Sequence, residues 1–199
     1  MEFDVRSRGF SLIEVMITVT VLALLLMAAV PSIGAWLATL QVRNAASAIS
    51  DGLQQARGEA ITRNETVSFW LVSGADQAVL ANDCVLSSAS GGWVISVDSP
   101  VGACASAPST TVAPRLVAAH PVGDGGSDVT VSAVRADGTT AATQVAFDGF
   151  GRVVNSGPIA RINVGKTAGT RSLRVVVSTA GSVRMCDPTV TATTDPRRC

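Results

Sequence analysis

Few residues in this chain could do chemistry. Glu14 is the single ionisable group in the apolar run from Phe10 to Val30. A carboxylate in hydrocarbon costs on the order of 3 kcal/mol on insertion scales unless a cation neutralises it, so the chemistry it calls for is an ion pair with an amine. Cys84, Cys104, Cys186 and Cys199 are even in number and lie beyond that run, where an oxidising compartment lets disulfides persist. Sequence allows three pairings. Joining Cys84 to Cys104 and Cys186 to Cys199 is preferred because it closes the two local loops.

Other chemistries lack their parts. No C-x-x-C occurs and His120 is the only histidine, so a zinc site has no ligand spacing and no metal or other cofactor is expected. There is no G-x-S-x-G elbow and no phosphate loop, and Gly149-Phe-Gly151 is too short for a dinucleotide fingerprint. Asp124, Asp128, Asp137 and Asp148 stand mostly in glycine-rich turns and read as turn formers. No catalytic residue is assigned.

Two kinds of element must carry these groups. The apolar run is long enough as a helix to cross a bilayer, with Arg6 and Arg8 on its flank. A removable secretory signal fits poorly, because its core is shorter and Met27-Ala28-Ala29 is a weak A-x-A site. A plain signal anchor with one stray acid remains an alternative. Past Val30 the helical period continues through Leu37, Leu40, Ala45, Ile49, Leu53, Ala56 and Ala60. The expected helix, from residue 10 to about 63, is about 80 Å long, with bends or local melting at Pro31 and Gly34.

From Thr66 the period becomes two. Strands are expected at 67–72, 77–81, 93–97, 115–118, 128–134, 144–147, 152–154, 161–164, 171–178 and 182–186. Glycine and proline pairs between them supply turns of an antiparallel meander. The fold class is α+β: a long kinked helix, membrane-spanning and then amphipathic, packed on a sandwich-like antiparallel domain. Residues 1–9 precede it, 10–30 span, 31–63 extend the helix and 64–199 form one β-rich domain.

Charged residues are only 15% of the chain and the formal net charge is zero. From Arg152 onward, however, eight Lys or Arg face only Asp187 and Asp195. In the last hairpin, Leu173, Val175 and Val177 alternate with polar residues, and a three-residue loop Thr179-Ala180-Gly181 keeps Val183 and Met185 on the same apolar side. Arg174 and Arg184 then become diagonal neighbours on the outer face, near a tail bearing Arg197 and Arg198. The patch reads as a phosphate footprint with double-stranded DNA as ligand; alternatively the arginines solubilise the surface or meet another protein.

Arg8-Gly9-Phe10-Ser11-Leu12-Ile13-Glu14-Val15 resembles the class III signal of type IV pilins and type II secretion pseudopilins. The resemblance implies that a prepilin peptidase cuts between Gly9 and Phe10 and N-methylates Phe10. It also implies that Glu14 faces the amine of a neighbouring subunit, a register-setting pair. The position of Pro31 is similar to that of a pilin proline where the helix locally unwinds in filaments. Val145-Ala-Phe-Asp-Gly-Phe-Gly-Arg-Val153 with Gly181-Ser-Val-Arg-Met-Cys186 and a cysteine-closed tail resembles the GspH/FimT family of minor pilins and pseudopilins. That likeness implies an inner-membrane, single-pass subunit with a periplasmic domain, present in low copy at initiation or the tip. The implied partners are major and minor pilins and the inner-membrane assembly platform. Competence-associated members carry G-R-x-R in the last hairpin; Gly181-Ser182-Val183-Arg184 keeps the second arginine and lacks the first.

Overall fold

The computed structural model describes residues 10–76, 78–122, 128–166 and 171–199, leaving out the side chains of 28–32. The chain forms two compact units, Met1–Leu37 and Ala38–Cys199. Helix α1 covers Leu12–Arg63 and is continuous through Pro31 and Gly34, so no local melting occurs there. Ser11 caps its start, its Oγ accepting from the Glu14 amide at 3.3 Å. Its end is a left-handed cap: Asn64 adopts φ 49°, its amide donates to Ile61 O, and the Glu65 amide donates to Ala60 O.

In the first unit the apolar side chains from Leu12 to Met27 are all exposed, Val15 the least of the large ones at 49%. Thr18 and Thr20 donate their hydroxyls back to helix carbonyls, at 2.9 Å to Val15 O and 2.8 Å to Ile17 O, so they present no unsatisfied donor. Among the described residues no helix is long and apolar enough to cross a membrane. The expected span includes side chains at 28–30, which lie outside the described residues.

In the second unit α1 shares one core with two antiparallel sheets. Its buried positions are Ala38, Val42, Ala45, Ala46, Ile49, Leu53, Ala56 and Ala60. Val42, absent from the expected face, is buried, while Leu37, in the first unit, is 48% exposed. The first sheet holds β1 (Val67–Ser73), β2 (Val85–Leu86), β3 (Trp93–Ser96), β4 (Leu116–His120) and β6 (Gln144–Phe147). β1 pairs with β3, with β6 and, at its far end, with β2, while β4 pairs with β3. The second sheet runs β5 (Val129–Val134), β7 (Arg161–Lys166), β8 (Leu173–Val177), β9 (Val183–Cys186).

Period-two alternation divides β1: Val67, Phe69 and Leu71 join the helix core, while Val72 joins a second cluster with Val94, Leu116, Cys84 and Cys104. The Cys84–Cys104 disulfide thus closes a small core on the other face of the sheet. Small residues on α1 admit the first sheet closely. Gly52 lies so near Trp93 that an added Cβ would come within 2.7 Å of its ring.

Two expected strands are replaced by side-chain turns. Of 77–81, Gln77 lies outside the described residues; Asp76 Oδ1 accepts from the Ala78 amide at 2.8 Å and no ladder forms. The segment 152–154 reduces to a single bridge, Phe147 to Val153, because Asp148 Oδ1 takes the amides of Phe150 and Arg152. The short strand β2 had no period-two signal.

Candidate functional site

At the N-terminal end Phe10 is 83% exposed and Glu14 lies in the first helical turn. Ser11-x-x-Glu14 has capping-box spacing, and the Glu14 amide donates to Ser11 Oγ at 3.3 Å, with the acid in the first turn where the helix dipole favours it. Gly9 lies outside the described residues.

The last hairpin has the register Val177 opposite Val183, Val176 opposite Arg184 and Arg174 opposite Cys186. Its three-residue loop ends at Gly181, whose φ of 81° is left-handed. Arg174 and Arg184 are therefore diagonal on the outer face, where Arg174 Nε donates to Asn163 Oδ1 at 2.7 Å. Arg184 donates to the Arg198 carbonyl at 3.3 Å. Arg197 is placed differently: it lines a cavity with Leu173 and Met185, on the inward side of the strands, and pairs with Asp195 at 2.7 Å. The hydrogen bond from Arg197 pulls the Asp195 carboxyl down to about 2.

The tail returns to the sheet through the Cys186–Cys199 disulfide and a parallel bridge between Asp187 and Arg198. Asp187 is buried and accepts from Thr189 Oγ1 at 2.6 Å and the Thr189 amide at 3.0 Å, with Arg171 at 3.2 Å. Thr189, more than the arginines, holds its carboxyl below the ordinary aspartate value.

The Asp-Gly-Phe-Gly turn proves to be a structural clasp. Arg57 on α1 donates from Nε to Gly151 O at 3.0 Å, and Gly181 presses on the same carbonyl so closely that an added Cβ would overlap it. Gly149 abuts the helix cap, since its Cβ would lie 2.5 Å from Asn64 Oδ1. Phe150 at the tip stays 77% exposed, with the Arg152 guanidinium 5.2 Å from its ring centre. These glycines are legible in the sequence as turn formers, but the meeting of two distant turns on one arginine is not.

Arg115 is a further clamp with no local sequence signal, held at φ 51° and bound to Asp98 at 3.0 and 3.2 Å and to Glu65. His120 stacks on Trp93 with ring centres 5.2 Å apart, a packing role. Asp137 accepts the amides of Thr139 and Thr140, each at 2.9 Å, as a turn former. Asp128 pairs with Lys166 at 3.4 Å, and Asp124 lies outside the described residues. Among the described residues no group of His, Cys, Asp or Glu could hold a metal ion.

A helix with an acid in its first turn, followed by helix packed on antiparallel sheets, defines a pilin-type subunit. The prokaryotic N-terminal methylation motif matches residues 5–30. The chain belongs to the family described as type II transport protein GspH, which matches residues 45–181. Its similarity to solved structures includes two crystal structures of the type IV minor pilin FimU of Pseudomonas aeruginosa strain PAO1. One is 16% identical, covering 76% of this chain and 97% of that one with a TM-score of 0.48. The other is 15% identical, covering 76% and 92%, with a TM-score of 0.49. No curated protein matches the chain. The family match ends at Gly181, so Arg184 and the disulfide-closed tail lie beyond it.

Proposed function

We propose that this minor pilin or pseudopilin is an inner-membrane-anchored subunit of a type IV pilus or type II secretion filament, with residues 10–30 as anchor and the second unit in the periplasm. A prepilin peptidase cuts between Gly9 and Phe10 and methylates Phe10, and Glu14 pairs with the N-terminal amine of the next subunit. It acts in low copy, at initiation or the tip, with other pilins and the assembly platform. The observation that carries this reading is the methylation motif on residues 5–30 followed, in one chain, by the GspH match on 45–181. No catalytic role is assigned.

Replacing Glu14 by Val tests it, because the change suits lipid better yet removes the partner of the neighbour's amine. Membrane level should hold while incorporation into filaments falls at least tenfold. Equal incorporation overturns the pairing, and continued processing of Gly9→Val overturns the cleavage assignment.

A second reading is favoured by the outward pair Arg174 and Arg184 in a segment rich in basic residues: the sheet face binds duplex DNA without sequence preference. The full chain should then bind DNA less tightly as salt rises, and changing Arg174, Arg184, Arg197 and Arg198 to Ala should flatten that slope. Since Arg197 is held by Asp195, its single substitution should matter least. Unchanged affinity in the fourfold variant excludes the patch.

A further inference from the structure

A cavity of about 350 Å³ opens in the second unit where α1, the β8–β9 hairpin and the tail meet. Its floor is apolar: Val42 is 1% exposed, and Leu173 and Met185 pack against the same core. Its rim is basic, formed by Arg43, Arg171 and Arg197. The only acid in the lining, Asp187, is buried and already engaged by Thr189 and Arg171. Arg43 has no ion-pair partner among the described residues. Three guanidiniums thus surround an apolar hole: Arg171 is paired with Asp187 and Arg197 with Asp195 outside the lining, which leaves Arg43 as the rim's uncompensated charge.

Guanidinium forks match phosphate oxygens, and a volume at the small end of the ligand-pocket range suits a short alkyl segment beneath them. A hydrophilic anion would use the rim and leave the apolar floor unused; the two together call for an anionic amphiphile. The tether chooses among amphiphiles. With residues 10–30 in a bilayer, Thr39 on the cavity wall follows Val30 by nine positions, so phospholipid is present at a tethered concentration on the order of millimolar or above. We propose that the cavity takes the phosphate head and first acyl carbons of an anionic phospholipid, an inference that rests on the membrane-anchored reading above.

The test uses the full-length chain in maltoside micelles doped equally with palmitoyl-oleoyl phosphatidylglycerol and phosphatidylcholine, bound lipid being counted by native mass spectrometry. Phosphatidylglycerol should be retained at least fivefold over phosphatidylcholine. Changing Arg43 and Arg197 together to Gln, both exposed side chains, should remove that preference, and Met185→Trp, which fills the floor, should lower retention about fivefold. Equal retention of the two lipids by the wild type, or full retention by the double variant, overturns the proposal. Displacement by inorganic phosphate together with an unaffected Met185→Trp also overturns it, since only an anion site would remain. Membrane fractionation of the same variants separates the two claims: loss of the wild type from membranes defeats the anchored reading, whereas membrane-bound variants with unchanged lipid defeat only the cavity.

Discussion

Gly181 has its side-chain direction closed by the Gly151 carbonyl, and its φ of 81° is one that L side chains rarely adopt. Gly181→Ala should therefore cost about 2–4 kcal/mol, from backbone strain and overpacking together. Gly58 is the opposite case, a helical glycine with nothing within 4 Å of its added Cβ. Gly58→Ala should stabilise by about 0.5–1 kcal/mol. Thermal unfolding of the two variants should give midpoint shifts of opposite sign, and a neutral Gly181→Ala would show that the clasp yields. The period and turn chemistry around both glycines were legible in the sequence. Their different costs were not, because those depend on an atom from a segment far along the chain.

The C-terminal tail is held by one disulfide, one bridge, one buried carboxylate and the Arg184 hydrogen bond to Arg198 O, with little apolar burial of its own. Changing Cys186 and Cys199 to Ser releases a closure of 13 residues and should cost about 2–3 kcal/mol on the chain-entropy account. Hydrogen exchange should rise across 187–199 while β7 amides stay protected; a uniform rise would mean that the tail is part of the global fold. Acid should act on the same element. Asp187 and Asp195 have carboxyls lowered in the folded state, so their contribution is present above the unfolded value of about 3.9 and is lost as pH falls through the folded values, about 2 for Asp195. The tail should loosen between about pH 4 and pH 2, and Asp187→Asn should flatten that response. The hairpin register feeding this tail followed from sequence alternation alone, since any two-residue loop would have driven Arg184 inward. The inward turn of Arg197 did not, because it is set by Asp195 and by the path of the tail over α1.

For the molecule as a whole, a low-copy role predicts that quantitative mass spectrometry of purified filaments finds this subunit far below the major pilin. Abundance equal to the major subunit would overturn the initiation or tip assignment. The single acid in an apolar run, the change of period from helix to strand near residue 64, and the alternation of the last hairpin were decided by sequence alone. Each is local: hydrophobic period and turn residues act within a few positions of themselves. The buried helical face was legible over 45–60, but the burial of Val42 was not, because it depends on which side chains the sheets bring against that turn. Only tertiary structure brought Gly151, Gly181 and Arg57 together, bound Arg115 to Asp98 and Glu65, and set three arginines around one apolar cavity. Those contacts join residues tens of positions apart, and no local propensity encodes which distant side chain will arrive.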